Sequence, residues 1–223
     1  MAIMRCYNKK GMRYLTESDL PDDKLSRQLG DPLSITELEI GISNGRFFCR
    51  LASFYRDRFF VGIELKPRSS YLAASHALKK SLKNGVVINI EAYHYISEWV
   101  PDSAFNVIHI YFPTPYPSAL GLSHRLINPS FVEEAFRILK PWGVLRIVTD
   151  DKNYYEEIYG LFDARRWRAV TWQPFGLKFR GNYLVGTKHE MKYRKQKNTQ
   201  IYALQLIRMV SRKSQALDSK GAC

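Results

Sequence analysis

Short apolar runs rich in β-branched and aromatic residues alternate with segments whose apolar residues recur at helical spacing. This alternation constrains the chain more than any other feature. Ser34 to Gly41 (SITELEIG) and Arg58 to Leu65 (RFFVGIEL) read as strands, and RFFCRLASFYRD between them reads as a helix. Together they form one βαβ unit. The pattern continues with YLAASHALKKSLK as helix, then GVVINIEA, NVIHIYF and VLRIVTD as further strands. Consecutive parallel strands need crossover helices, so the expected fold class is α/β, a doubly wound and largely parallel sheet.

Ahead of VLRIVTD, Asn128-Pro129 reads as an N-cap with proline in the first helical turn, and Phe131, Val132, Ala135, Phe136, Ile138 and Leu139 supply a core-facing stripe. LKPWG ends that helix, and WRAVTW and IYALQLIRMV read as two closing strands. A chain of 223 residues can bury one substantial core. The expected organisation is a basic arm over residues 1–30, an α/β domain over 31–212 and a tail over 213–223. Arg5, Lys9, Lys10 and Arg13 stand among polar residues of weak periodicity, which is why the first segment reads as an arm.

The residues after the first long strand admit two chemistries. Gly41-Ile42-Ser43-Asn44-Gly45 fits G-x-S-x-G, the turn that exposes a nucleophilic serine in α/β-hydrolases, and it equally fits a glycine-rich cofactor loop. A nucleophile elbow needs sheet structure before it to supply a second oxyanion donor, whereas Ser43 follows the first strand read here. Asp150 and His189 follow in hydrolase order, but five histidines make such an order cheap to find. The cofactor loop is the stronger reading.

Charge narrows the partners. With 34 basic and 21 acidic residues the net charge is +13, which favours a polyanion such as nucleic acid. No apolar run approaches the ~18 residues that span a bilayer, so no membrane partner and a cytoplasmic location are expected. Cys6, Cys49 and Cys223 lack metal-ligand spacing and read as ordinary thiols; no metal is expected. Lys188, Lys192, Arg194, Lys195 and Lys197 interleave with His189 and Tyr193, a composition that suits phosphates and stacked bases, or equally a solvated basic edge.

Ligands in open α/β sheets bind outside the carboxyl ends of the strands. Those ends carry Glu39 with Gly41, then Glu64, then Glu91, then Pro113-Thr114-Pro115. Glu64 lies 19 residues past Gly45, close to the offset of about 20 at which a carboxylate accepts bonds from ribose hydroxyls.

Glu39-Ile40-Gly41 with Gly45, Gly62-Ile63-Glu64, Glu91-Ala92, Phe112-Pro113-x-Pro115-Tyr116-Pro117, Arg125-Leu126, Leu139-Lys140-Pro141-x-Gly143, Thr149-Asp150 and Thr187-Lys188-x-Glu190 occur in the order found in tRNA (guanine-N7-)-methyltransferases. The chain resembles a divergent member over about residues 35 to 208. The resemblance implies a sheet of the class I S-adenosylmethionine-dependent methyltransferase type, S-adenosylmethionine as cofactor, tRNA as partner and guanine N7 as the methylated atom. It implies that Glu39 and Gly41 border the methionine half of the cofactor, Glu64 the ribose, and Glu91 with Ala92 the adenine, with Gly45 also among the cofactor-binding residues. Thr114 falls at the catalytic and cofactor-facing position between the prolines, and Ser118, Asp150, Thr187, Lys188 and Glu190 fall on the substrate side. A monomer and a homodimer are both compatible with it.

Three departures stand out. Ser43 replaces a loop glycine, Glu91 replaces an aspartate, and Thr114 with Ser118 replace the family's aspartate and lysine in the proline-rich segment. Two further readings therefore stand beside the tRNA methyltransferase: a non-catalytic RNA-binding relative, and a methyltransferase acting on another nucleic acid base.

Overall fold

A computed structural model describes residues 11–116, 125–171, 178–179, 182–183 and 200–210. The strands are β1 (Arg13–Thr16), β2 (Thr36–Ile40), β3 (Phe59–Ile63), β4 (Gly85–Asn89), β5 (Phe105–Tyr111), β6 (Leu139–Thr149), β7 (Trp167–Val170), the short pair β8 (Lys178–Phe179) and β9 (Asn182–Tyr183), and β10 (Tyr202–Arg208). The helices are α1 (Asp23–Gly30), α2 (Arg46–Phe54), α3 (Pro67–Lys79), α4 (Ala92–Trp99), α5 (Pro129–Ile138) and α6 (Lys152–Gly160).

Eight strands form one sheet in the order β1-β4-β3-β2-β5-β6-β10-β7. The first five pairings along that order are parallel, and β10 runs antiparallel to both β6 and β7. The expected doubly wound, largely parallel sheet is present. From β2 the chain winds outward through β3 and β4 on one side, then returns to place β5 against the other flank of β2. That reversal opens a crevice outside the carboxyl ends of β2 and β5.

Helices cover both faces. One face buries Phe47, Phe48 and Ala52 of α2 and Ala73, Ala74 and Ala77 of α3 against Phe60 and Val87. The other packs α1, α4, α5 and α6 around Leu38, Ile88, Ile108 and Leu145. Both Phe48 and Ile108 are wholly buried. Burying such a side chain contributes about 1.5–3 kcal/mol, so each face is held by many comparable increments. In the first of these layers Cys49 is buried, and burial pushes its thiol up to about 12, so it stays protonated.

Three elements differ from expectation. The LKPWG segment, read as ending the α5 helix, is itself the start of β6, whose Leu139 pairs with Phe105 of β5. The helix read from Tyr71 begins four residues earlier, because Pro67 occupies its first turn, and it stops at Lys79. The basic arm does not begin where the periodicity fades: residues 13–16 are the β1 edge strand, paired in parallel with β4 from Arg13↔Val86 to Thr16↔Asn89. Met12 and Leu15 are buried, as are Leu25 and Leu29 of α1. Arg13 is committed to Asp22, 2.6 Å away, whose carboxylate also caps α1 by accepting from the Leu25 amide. A four-residue strand is too short to show alternation, so its apolar pair is legible only against β4. Arg5, Lys9 and Lys10 lie outside the described residues.

Candidate active site

A cleft of about 450 Å³ opens at the switch point. Its floor is the end of β2 and the loop after it, Glu39 to Asn44. Glu64, Lys66 and Ser69 form one side, and Ile110 to Thr114 with Tyr116 and Leu126 form the other. Arg46 and Phe47 at the start of α2 complete the lining.

The loop after β2 follows a tight path. Gly41 and Gly45 adopt φ of +78° and +71°, and Ser43 between them also takes a positive φ of 50°. Serine therefore occupies the left-handed region that glycine favours. Its amide donates to Glu64 Oε2 at 2.8 Å, which holds that conformation in place. Gly45 carries a second constraint: a Cβ there would lie 2.6 Å from Ala73 Cβ, so glycine permits α2 and α3 to approach.

Glu64 is 9 % exposed and serves as a brace. Besides the Ser43 amide it accepts from the Lys66 amide through Oε1 at 2.9 Å. The carboxylate faces the cleft with lone pairs beyond those two bonds, since each oxygen offers two.

Glu39 is 6 % exposed, and its Oε2 is buried without a hydrogen-bond partner among the described residues. Burial, and after it the nearby charge of Glu64, pushes the Glu39 carboxyl up to about 8. A buried acid lining a cleft with an unmet acceptor suits a ligand that carries positive charge. Arg46 and Lys66, both exposed, place basic groups beside these two acids. The arrangement suits a ligand with an ammonium group, a carboxylate and a ribose.

Across the cleft, β5 ends in strained backbone. Phe112 has φ of +53°, unusual for a bulky residue, and its amide donates to the Val148 carbonyl at 2.7 Å. The turn aims Pro113 and the exposed Thr114 into the mouth. Arg125 holds Tyr116: its Nε donates to the Tyr116 carbonyl at 2.8 Å, and its guanidinium bonds Glu157 of α6 and lies over the Tyr154 ring.

Residues 34–203, well over half of the chain, match the family model described as "Putative methyltransferase". The chain belongs to this methyltransferase family. Among curated relatives, the tRNA (guanine-N(7)-)-methyltransferase of Rubrobacter xylanophilus is 29% identical over 178 residues, covering 77% of this chain and 76% of that protein. The enzyme of the same name from Thermotoga maritima is 28% identical over 159 residues, covering 71% of this chain and 50% of the relative. That of Nitrosococcus oceani is 34% identical over 122 residues, covering 54% and 51%. The chain thus matches about three quarters of the first relative's length and about half of the other two. Among solved structures, an rRNA methylase from Streptococcus thermophilus aligns with a TM-score of 0.52 at 14% identity, covering 84% of this chain and 93% of that one. A SAM dependent methyltransferase from Aquifex aeolicus aligns with a TM-score of 0.51 at 16% identity, covering 83% and 88%. At these identities the likeness speaks for the fold, which is that of the class I methyltransferases.

Within this methyltransferase frame the expected site residues divide. Glu39, Gly41, Glu64 and Thr114 line one cleft, and Gly45 shapes its loop from behind. Glu91 and Ala92 are not in the lining. Glu91 is exposed and caps α4, accepting from the Tyr93 and His94 amides at 3.0 and 2.7 Å, while Ala92 is buried in the first turn of that helix. Asp150 is exposed at the end of β6, beside the cleft's β5 side and outside its lining. Ser118, Thr187, Lys188 and Glu190 lie outside the described residues. Sequence reasoning missed Arg46, Lys66 and Tyr111, and quoted Phe112 in the proline-rich motif without giving it a role. Tyr111 and Phe112 had a usable signal, because they sit at the same strand end that drew attention to Pro113.

Proposed function

We propose that this chain methylates guanine N7 in tRNA with S-adenosylmethionine as methyl donor. The observation that carries the reading is the buried Glu39 carboxyl, whose Oε2 has no hydrogen-bond partner among the described residues, beside Glu64 at the switch point of a methyltransferase fold. The names of the curated relatives supply the acceptor.

The residues present fit the cofactor. Glu39 would meet the α-ammonium, the backbone over Gly41 would admit the methionine chain, and Glu64 would accept from the ribose hydroxyls. When bound, S-adenosylmethionine supplies an electrophilic methyl group on a sulfonium. Guanine N7 has a lone pair in the ring plane and needs no base to expose it, so the chain's task is alignment and exclusion of water. The strained Phe112 turn leaves Pro113 and Thr114 in the cleft lining, where they would meet the base, and Arg125 donates to the Tyr116 carbonyl. Thr114 offers one hydroxyl where an aspartate would offer a charged acceptor pair.

A second reading, a non-catalytic RNA-binding relative, is favoured by that threonine alone. The reading supposes a cytoplasmic protein; among the described residues no helix is long and apolar enough to cross a membrane. Incubation with methyl-labelled S-adenosylmethionine and bulk tRNA, followed by nucleoside analysis, separates the two. Labelled 7-methylguanosine supports the enzyme, and bound but unmodified tRNA supports the relative.

A further inference from the structure

A buried polar chain runs through the sheet into the wall of this cleft. Glu37 of β2 and His109 of β5 are 2 % and 1 % exposed, and His109 Nε2 lies 2.8 Å from Glu37 Oε2. The other ring nitrogen, Nδ1, lies 3.1 Å from the Tyr111 hydroxyl. Tyr111 lines the cleft, whereas Glu37 and His109 do not. Arg58 bonds the second Glu37 oxygen from the far end of the chain.

The protonation pattern of this chain follows from its environment. Burial opposes ionisation of Glu37, but hydrogen bonds from His109 and Arg58 outweigh it and hold the carboxyl below its usual range. Burial holds His109 below the usual imidazole range in spite of Glu37, so the ring is neutral. A neutral ring beside a carboxylate places its single proton on Nε2, where it is donated to Glu37. Nδ1 is then an acceptor, and the Tyr111 hydroxyl must donate to it. With its proton committed to His109, the phenol oxygen has only acceptor capacity to offer any further partner.

We propose that Glu37 and His109 are positioning residues that hold Tyr111 as an obligate hydrogen-bond acceptor in the cleft wall, selecting a ligand group that carries donors. Two sources fit this chemistry: the amino edge of the target guanine, and the donor groups of the methyl donor. The assignment of these sources rests on the proposed methyl transfer; the tautomer itself does not. The ring is further located by Phe47, whose centroid lies 4.5 Å from that of Tyr111 in an edge-on contact. Burying a carboxylate and an imidazole has a desolvation cost that an apolar pair would avoid, which argues for a role beyond packing.

The test uses the full chain and Tyr111→Phe, Glu37→Gln and the double variant, with folding followed by circular dichroism. Nitrogen-15 NMR of the His109 ring should find the proton on Nε2 in the parent. Tyr111→Phe should lose about three- to tenfold, as expected for one neutral hydrogen bond. A loss in calorimetric affinity for S-adenosylhomocysteine assigns the donor to the cofactor, and a loss confined to kcat/KM for tRNA assigns it to the base. Glu37→Gln should lose a similar factor, and adding it to Tyr111→Phe should lose little more, because both remove one interaction. Additive losses, a proton on Nδ1 in the parent, or a Tyr111→Phe protein unchanged in both assays overturns the proposal. If the parent transfers no methyl group to tRNA, the tRNA reading fails, and the NMR and calorimetric arms still decide this one. Should Glu37→Gln not fold, the parent tautomer and Tyr111→Phe suffice.

Discussion

Glu39 and Glu64 end adjacent parallel strands and line one cleft, yet they are held in opposite ways. Glu64 accepts from the Ser43 and Lys66 amides, while Glu39 Oε2 has no hydrogen-bond partner among the described residues. One acid therefore braces the loop, and the other keeps an unmet acceptor in the cleft lining.

The unpartnered acid makes binding depend on pH. Burial, and after it the charge of Glu64, holds the Glu39 carboxyl up at about 8, so it is largely protonated at neutral pH without ligand. An ammonium group at Glu39 favours the ionised form, so cofactor binding should release a proton below pH 8 and tighten as pH rises toward that value. Calorimetry in buffers of different ionisation enthalpy should record the release, and Glu39→Gln should abolish it. The sign for folding is opposite. A folded value raised above the ordinary 4.5 means the native state keeps a proton the unfolded chain has lost, so this group's contribution to stability declines from about pH 4.5 to about pH 8.

Removing the brace should affect the ribose and the loop together. Glu64→Ala is expected to weaken S-adenosylmethionine binding by about 1.5–3 kcal/mol, the range for hydrogen bonds to a charged group. Titration calorimetry checks this, and equal affinity in the two proteins removes Glu64 from the site.

The two loop glycines should respond unequally to a methyl group. Gly41→Ala meets nothing within 4 Å and bears only the cost of its left-handed backbone, about 1–2 kcal/mol. Gly45→Ala adds a clash with Ala73 of α3 and should lose about 1–3 kcal/mol more in urea denaturation. Equal losses would mean that α3 shifts freely.

Thr114 decides how fast the proposed reaction runs. A good bidentate contact to a base is worth about 1–3 kcal/mol, so Thr114→Asp should raise guanine-N7 methylation roughly tenfold to a hundredfold above a slow but measurable parent. Initial rates with saturating cofactor provide the comparison. A fast parent slowed by Thr114→Asp would point to a different base.

Much of this architecture was legible from spacing. Strands β2 to β6 announced themselves as short β-branched runs, and Asn128-Pro129 announced α5, whose cap accepts from the Phe131 amide as expected. Glu39 and Glu64 followed from the rule that ligands gather at strand ends, and the glycines from the turn they permit. These signals are local: each depends on residues within one or two turns of chain.

What the sequence could not reveal depends on partners far along the chain. β1 has meaning only beside β4, some seventy residues later, which turns Arg13 from a basic-arm residue into an ion-pair partner of Asp22. Glu91 reads like a ligand until α4 folds and takes both of its oxygens as a cap. Glu37 and His109 are 72 residues apart and meet because β2 lies beside β5, in a register that sets Glu37 opposite Val107 and Glu39 opposite His109. Strand order and register are properties of the whole sheet, fixed by which hydrophobic faces bury together. The sequence by itself determined the central strands, most of their helices and the acids at the strand ends; the tertiary structure decided which of those acids meet a partner and which keeps an unmet acceptor.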